Sequence, residues 1–400
     1  MKICFYCDSI FTFGGVQRVL AVLAKELSKK HEISILTLDD PSLKDTTMYG
    51  LSDANIKYTF LKYPESPMYE FIPSKIYSFL YKNILPQNRL FSKWYGYSSF
   101  PKSKRSHLIN TLKRGDYDIV IGVHVFMSYH LAVITKEISS KTIGWMHSSY
   151  DAFFTIENPY VGILKNFFIH VLPNLDKLIV LSKSDQTRYS RDLNIKSSVI
   201  YNPLTINNNE EAEIKSKTFL AVGRLSRKTK GFDILIKAFA LFANENKEWD
   251  LKIVGEGTEK EYLQSLINEE ELEARVEIFP FTKHIEPYYN RASVFILSSR
   301  WEGFGLVLIE AMSYGLPIIA SDLPITRELL DGKNVALFFE SENVIDLSIK
   351  MTEIAQMDSL SFKKMSDNAL GCSDHFSIHK IAIQWESVFN DLKIKTSNNL

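Results

Sequence analysis

Short apolar runs alternate with amphipathic stretches along most of the chain. "KICFYC" (2–7) precedes "GGVQRVLAVLAKELSKK" (14–30), in which Val16, Val19, Leu20, Leu23 and Leu27 recur at helical spacing, and "EISILTL" (32–38) follows. "DIVIGVHV" (118–125), "SKTIGWMH" (140–147), "DKLIVLS" (176–182) and "SSVIYN" (197–202) continue as strands. The second half repeats the rhythm. Strands "TFLAVG", "DLKIVG", "RVEIFPF", "SVFILS", "LPIIAS" and "VALFF" are interleaved with helices "FDILIKAFALFANE", "EKEYLQSLI", "LVLIEAMSYG" and "ITRELL". Apolar strands spaced by amphipathic helices predict parallel sheets covered on both faces. The expected fold class is therefore α/β, with two Rossmann-like doubly wound domains facing across a cleft. The first is expected over 1–202 and the second over 203–376, with the junction in "YNPLTINNNEEAEIKSK" (201–217), where periodicity lapses. A final helical pattern, at about 377–395, follows the completed second sheet and is expected to pack back on the first domain.

Composition narrows the class. Of 400 residues, 45% are hydrophobic, enough for two packed cores and against global disorder. There is no run of ~20 apolar residues of the kind that spans a bilayer. "VGILKNFFIHVLPNL" (161–175) is short, carries Lys165 and His170, and reads as a buried helix. The first residues read as a strand rather than a secretory leader, so a cytoplasmic protein is expected. Three cysteines build no disulfide framework; Cys4 and Cys7 lie in a strand pattern with no second ligand pair and read as buried thiols.

The net charge of zero conceals a division. Residues 1–202 hold 25 Lys and Arg against 17 Asp and Glu, a net of +8, and residues 203–400 hold 22 against 30, a net of −8. Within the basic half, segment 71–115 has nine Lys and Arg, no acid, and interleaved Phe, Tyr, Leu and Trp94. Such a segment suits peripheral association with an anionic membrane surface. A solvated basic face remains an alternative; the segment matches no recognised nucleic-acid module, and nucleic acid is not expected as a partner.

Ligands of doubly wound sheets bind at the carboxyl ends of strands, so the loops there are searched for chemistry. Gly14 and Gly15 precede a helix, which lets backbone amides approach an anion; a plain tight turn is the alternative. "VGRLSRKTKGF" sets Arg224, Arg227, Lys228 and Lys230 within seven residues at a strand end, a concentration of like charge that suits a phosphate. "VGEGTEK" (254–260) is a G-x-G without a third glycine and says little alone. In "RWEGFGLVLIEAMSYG" (300–315), Glu302 falls at a loop tip and Glu310 inside the following helix. Eight helical residues would separate them by about 12 Å. That exceeds the roughly 5–9.5 Å of glycosidase carboxylate pairs. Two contacts to an extended ligand, with Glu310 accepting from vicinal hydroxyls, fit better than a hydrolytic pair; an ion pair of Glu310 with a neighbouring loop is the alternative.

The ordered set "FGGVQRV", "GRL…KTKGFD", "IVGEGTEKEYL" and "SRWEGFGLVLIEAMSYGLPIIASD" resembles the family-four retaining glycosyltransferases of the GT-B fold, the last carrying their E-x7-E signature. The resemblance is strongest over 217–340 and weakest over 41–115. It implies that Glu310 holds the ribose of a nucleotide-sugar donor and that Glu302 lies by the donor hexose. Arg224 and Lys230 would bind the diphosphate, with backbone amides of Phe304, Gly305 and Leu306 adding to that site. Gly15 would let the first domain close on the donor, and His147, in "IGWMHSSY", would contact the transferring sugar. Neighbouring Trp145, Ser148 and Tyr150 would suit an acceptor-side loop.

The implied reaction is retaining transfer of a hexose or N-acetylhexosamine, from a UDP-sugar as the common donor of the family, to a lipid-linked or cell-surface glycan. No metal is expected, since two cations face the diphosphate and the only D-x-D, "DYD" (116–118), precedes a strand and reads as a turn and cap. Two alternatives stay open: a nucleotide-sugar epimerase or phosphorylase-like enzyme on the same architecture, and a non-catalytic sugar-nucleotide-binding scaffold.

Overall fold

The computed structural model describes residues 1–155, 161, 164–206 and 216–397. The chain divides into two compact units, Met1–Pro203 together with the chain from Ile378 onward, and Leu204–Ser377. Much of the sequence-predicted junction, 207–215, lies outside the described residues.

The first unit is built on a seven-stranded sheet among the described residues: β1 (Lys2–Cys7), β2 (Glu32–Thr37), β3 (Ile56–Phe60), β4 (Ile119–Val123), β5 (Lys141–Trp145), β6 (Lys177–Val180) and β7 (Ser198–Val199). Their order is β3-β2-β1-β4-β5-β6-β7, and every pairing is parallel. Strand direction forces a crossover helix between neighbours, so the central strands are buried on both faces and read as continuous apolar runs. All five residues of β4 and the last five of β1 are buried. Cys4 and Cys7 belong to that core; burial pushes the Cys4 thiol up to about 12 and that of Cys7 higher still.

Two strand expectations need correction. The apolar run from 118 reads as strand through Val125, but β4 stops at Val123 and the helix His124–Ile134 begins at once. Gly122 permits this: a Cβ there would stand 2.7 Å from the Ser128 amide nitrogen and 2.8 Å from the Met127 carbonyl oxygen. Ser128 Oγ donates to the Gly122 carbonyl at 2.9 Å and closes the turn. Conversely β3, an edge strand with Ile56 buried and Tyr58 and Phe60 only half-buried, has too short and mixed a pattern to stand out. The D-x-D segment is a helix end: Asp116 caps Lys102–Gly115 in the left-handed region, and Asp118 accepts from the Lys2 amide at 2.8 Å.

The last helix, Ile378–Ser397, belongs to the first unit. Trp385 is buried against Trp145, with ring centroids 4.9 Å apart, and Glu386 pairs with Lys30 at 3.2 Å.

The second unit carries a six-stranded parallel sheet among the described residues: β8 (Thr218–Val222), β9 (Asp250–Val254), β10 (Val276–Phe279), β11 (Val294–Leu297), β12 (Ile318–Ser321) and β13 (Ala336–Phe339). Its order, β10-β9-β8-β11-β12-β13, reverses direction between β8 and β11. A crevice for a ligand opens where two adjacent strands send their connections to opposite faces. Here the loops that leave β8 and β11 flank that switch point, and these loops hold the charged motifs.

Candidate active site

After β8 the chain runs through a basic turn, the short helix Arg227–Lys230, and Gly231 at φ 61°. A Cβ at Gly231 would overlap the Ser298 carbonyl oxygen, so glycine here allows the β8 loop to lie directly on the end of β11. Ser298 Oγ donates to the Lys230 carbonyl at 2.9 Å, and the Arg300 amide donates to the Thr229 carbonyl at 2.8 Å. The two loops are thereby fastened by one side-chain and one backbone donor. The G-x-G at 255–257 serves the same neighbourhood. Side chains at Gly255 and Gly257 would overlap the carbonyls of Gly223 and Leu225, so these glycines bring the β9 loop against the β8 loop.

Lys230 Nζ stands 2.6 Å from Glu302 Oε2, and Ser299 Oγ donates to the same oxygen at 3.3 Å. Both partners are about four-fifths shielded from solvent, which makes the pair stronger and more oriented than a surface ion pair. Arg224 is exposed at the end of β8, with no ion-pair partner among the described residues. Gly305 takes φ 84° and ends the loop; the helix Leu306–Ser313 starts there with no side-chain cap. Phe304 is buried, with its ring 6.2 Å from that of Phe376, and Leu306 is half-buried.

Glu310 lies within that helix and is 1% exposed. A buried carboxylate requires donors. Thr205 Oγ1 donates to one oxygen and Tyr289 Oη to the other, each at 3.1 Å. Tyr289 is in turn stacked on Tyr314, with centroids 5.2 Å apart. Glu302 and Glu310 thus occupy different electrostatic settings, one beside a lysine ammonium and the other between hydroxyls.

Sequence reasoning missed the ion pairs of Arg300. Arg300 donates from Nη1 and Nη2 to the two oxygens of Asp233 at 2.9 and 3.0 Å, from Nε to Glu342 at 2.7 Å, and also to the Arg227 carbonyl. These partners hold the guanidinium well above its ordinary pKa. Asp233 stands in the "KGFD" stretch and Arg300 two residues before Glu302, but only the sheet brings them together.

Gly15 and His147 belong to the other unit. Gly15 begins the helix Gly15–Leu27, and the preceding Gly14 amide donates to the Tyr49 hydroxyl at 3.1 Å. His147 follows β5. Its Nε2 is buried without a hydrogen-bond partner among the described residues, and burial, then His124, holds its pKa well below the ordinary value, so the ring is neutral at pH 7. Trp145, Ser148 and Tyr150, expected on an acceptor-side loop, are all buried. Trp145 packs between His147 and Trp385, and Tyr150 packs against Phe154, Tyr189 and the Arg188 guanidinium.

Two units built on parallel α/β sheets, the second with charged loops at its switch point, form an architecture in which nucleotides bind. The family model for glycosyltransferase family 4 matches residues 13–207, and that for glycosyl transferases group 1 matches residues 205–370. The chain belongs to the family-four glycosyltransferases of the GT-B fold. An uncharacterized glycosyltransferase of Haemophilus influenzae is 28% identical over 97% of this chain and 99% of its own. The Campylobacter jejuni N-acetylgalactosamine-N,N'-diacetylbacillosaminyl-diphospho-undecaprenol 4-alpha-N-acetylgalactosaminyltransferase is 24% identical over 93% of this chain and 96% of its own. Among solved structures, Anabaena HepE in complex with UDP superimposes with a TM-score of 0.74 at 18% identity, covering 98% of this chain and all of that one.

Proposed function

We propose that this glycosyltransferase moves a hexose or N-acetylhexosamine, with retention of configuration and without a metal, from a UDP-sugar to a lipid-linked or cell-surface glycan at the cytoplasmic face of an anionic membrane. The observation that carries the reading is the gathering of Arg224, Lys230, Glu302 and Glu310 around one switch point. Glu310, oriented by Thr205 and Tyr289, accepts from the ribose hydroxyls. Arg224 and Lys230 receive the diphosphate, and the start of the helix at Phe304, Gly305 and Leu306 adds backbone dipoles. Glu302 holds Lys230 and accepts from the donor hexose. His147 and Gly15 take the sugar-contacting and donor-closing roles that the family resemblance implies.

In the reaction the bond from the anomeric carbon to the diphosphate oxygen breaks and a bond to an acceptor hydroxyl oxygen forms. The hydroxyl proton departs with the nucleoside diphosphate. Negative charge grows on the leaving oxygen, so fixed cations lower the barrier only if they stand there before the reaction. The ion pair to Glu302 gives Lys230 that fixed position. Support for UDP and for a lipid-borne acceptor comes from HepE, solved with UDP, and from the Campylobacter enzyme, named for a diphospho-undecaprenol acceptor.

The test is nucleotide release from UDP- and GDP-sugars, in EDTA, with and without undecaprenyl-diphosphate-linked glycans. Acceptor-stimulated UDP release is expected, and Glu310→Gln should lower kcat/KM for the donor about tenfold to a hundredfold, the range for a charged hydrogen bond. Tight UDP binding with no release under any acceptor would instead identify a binding scaffold.

A further inference from the structure

The helix Met68–Asn83 is amphipathic in the reverse sense. Its inward face is polar: Tyr77 Oη donates to the Phe91 carbonyl at 3.1 Å, Tyr81 and Ser92 hydroxyls meet at 2.8 Å, Ser74 bonds the Ser98 carbonyl, and Glu70 accepts from Ser103 Oγ at 2.7 Å. The apolar residues point outward. Met68, Tyr69, Ile72, Ile76 and Phe79 are 47–76% exposed. At helical spacing they fall within an arc of about 100°, and Lys75 and Lys82 border one edge of it. The next helix, Arg89–Ser99, packs against this one and adds exposed Leu90 and Trp94 with Lys93 beside them.

A hairpin of this kind does not bury its apolar surface within its own fold, and a contiguous apolar face of this size marks an interaction site. We infer that the outward face of Met68–Asn83 and Arg89–Ser99 lies in the headgroup region of an anionic bilayer, with Ile72, Ile76, Phe79 and Trp94 entering the acyl boundary and Lys75, Lys82 and Lys93 meeting lipid phosphates. The inference deepens the membrane element of the proposed function by assigning it to one face. Charge complementarity selects the occupant: the two helices carry Lys75, Lys82, Arg89 and Lys93, and their one acid, Glu70, is engaged by Ser103 on the inward side. The aromatic rings supply bodies suited to the interface. Among the described residues no helix is long and apolar enough to cross a membrane. Phe71 and Lys104 also line a recess of about 380 Å³ with Tyr63 and Glu65, just past the end of β3.

The test is flotation of the full chain with phosphatidylcholine vesicles, with and without phosphatidylglycerol. The wild type is expected to float with the anionic vesicles and to lose binding as salt rises, since exposed charges are screened over about 10 Å at 0.1 M. Lys75→Gln and Lys82→Gln should each lower partitioning about fivefold. The double change Ile76→Glu with Phe79→Glu, both at exposed positions, should lower it more than tenfold with an unchanged circular dichroism spectrum. Equal flotation by that double variant, or no flotation by the wild type, would overturn the inference. So would a concentration-dependent wild-type dimer that the same variant dissociates, which would make the face a contact between copies. UDP release with a detergent-solubilised acceptor is measured alongside: flotation without release would refute the proposed activity and leave the surface standing.

Discussion

Arg300 joins three segments of the second unit through one guanidinium: Asp233 on the helix Phe232–Ala243, Glu342 beyond β13, and the Arg227 carbonyl on the basic turn. Lysine keeps the charge but not the planar fork, and it cannot meet Asp233 at two points while also reaching Glu342. Arg300→Lys is therefore expected to loosen the turn that carries Arg224 and Lys230, weakening UDP binding about tenfold while the melting temperature falls by only a few degrees. Titration calorimetry and a thermal melt decide it; unchanged UDP affinity would show that the clamp does not position the site. The two glutamates were visible in the sequence because acids beside glycines and apolar residues are conspicuous there. Their pairing was not: Lys230 stood out as one of four clustered cations but not as the partner of Glu302, and Thr205 and Tyr289 did not stand out at all. Tyr289 precedes Glu310 by 21 residues and Asp233 precedes Arg300 by 67, and no local pattern links positions that only strand order makes neighbours.

Among the elements, β8 to β13 were all marked by their apolar runs, most plainly β11 and β12, which are buried throughout, while β9 and β10 carry Lys252 and Glu277 at less buried positions and the short helix Glu286–Arg291 had no periodic pattern to mark it. Failures occur where a turn is decided by contact rather than by propensity, as at Gly122. Gly231 offers the sharper test. Alanine there would occupy the left-handed region and press on the Ser298 carbonyl, so Gly231→Ala should cost about 2 kcal/mol or more. Gly371, within the helix Ser359–Ser373, has nothing within 4 Å of its would-be Cβ, so Gly371→Ala should stabilise by about 0.5–1 kcal/mol. Urea midpoints of the two variants compare them directly, and a neutral Gly231→Ala would contradict the close approach of the two loops.

For the molecule as a whole, acid is the expected weakness. Burial lowers His124 to about 4 and His130 to about 3, with Lys104 adding to the effect on His130, and holds His147 well below its ordinary value. An unfolded chain protonates these rings near pH 6.5, so stability from this source is complete above that value. As pH falls below it the unfolded chain binds more protons than the folded one, and each ring removes up to about 1.4 kcal/mol per pH unit until its folded pKa is reached. His130→Asn, which leaves an acceptor near the Tyr6 hydroxyl, should flatten the slope of unfolding free energy between pH 6 and 4 by about one proton. Parallel slopes for variant and wild type in urea titrations would refute this.

The sequence by itself determined what depends on neighbours along the chain. Apolar periodicity set the strands and helices, and the alternation of the two implied parallel sheets. Glycines, basic residues and acids at strand ends marked the site, and segment 71–115 announced its mixed basic and aromatic character. The tertiary structure decided what depends on neighbours in space: that Lys230 meets Glu302, that Glu310 is buried between Thr205 and Tyr289, that Arg300 ties Asp233 to Glu342, and that the helix Met68–Asn83 turns its apolar face outward. The reason is that a side chain's charge and shape are local properties, whereas its burial and its partners are set by strand order and by the packing of helices on the sheets.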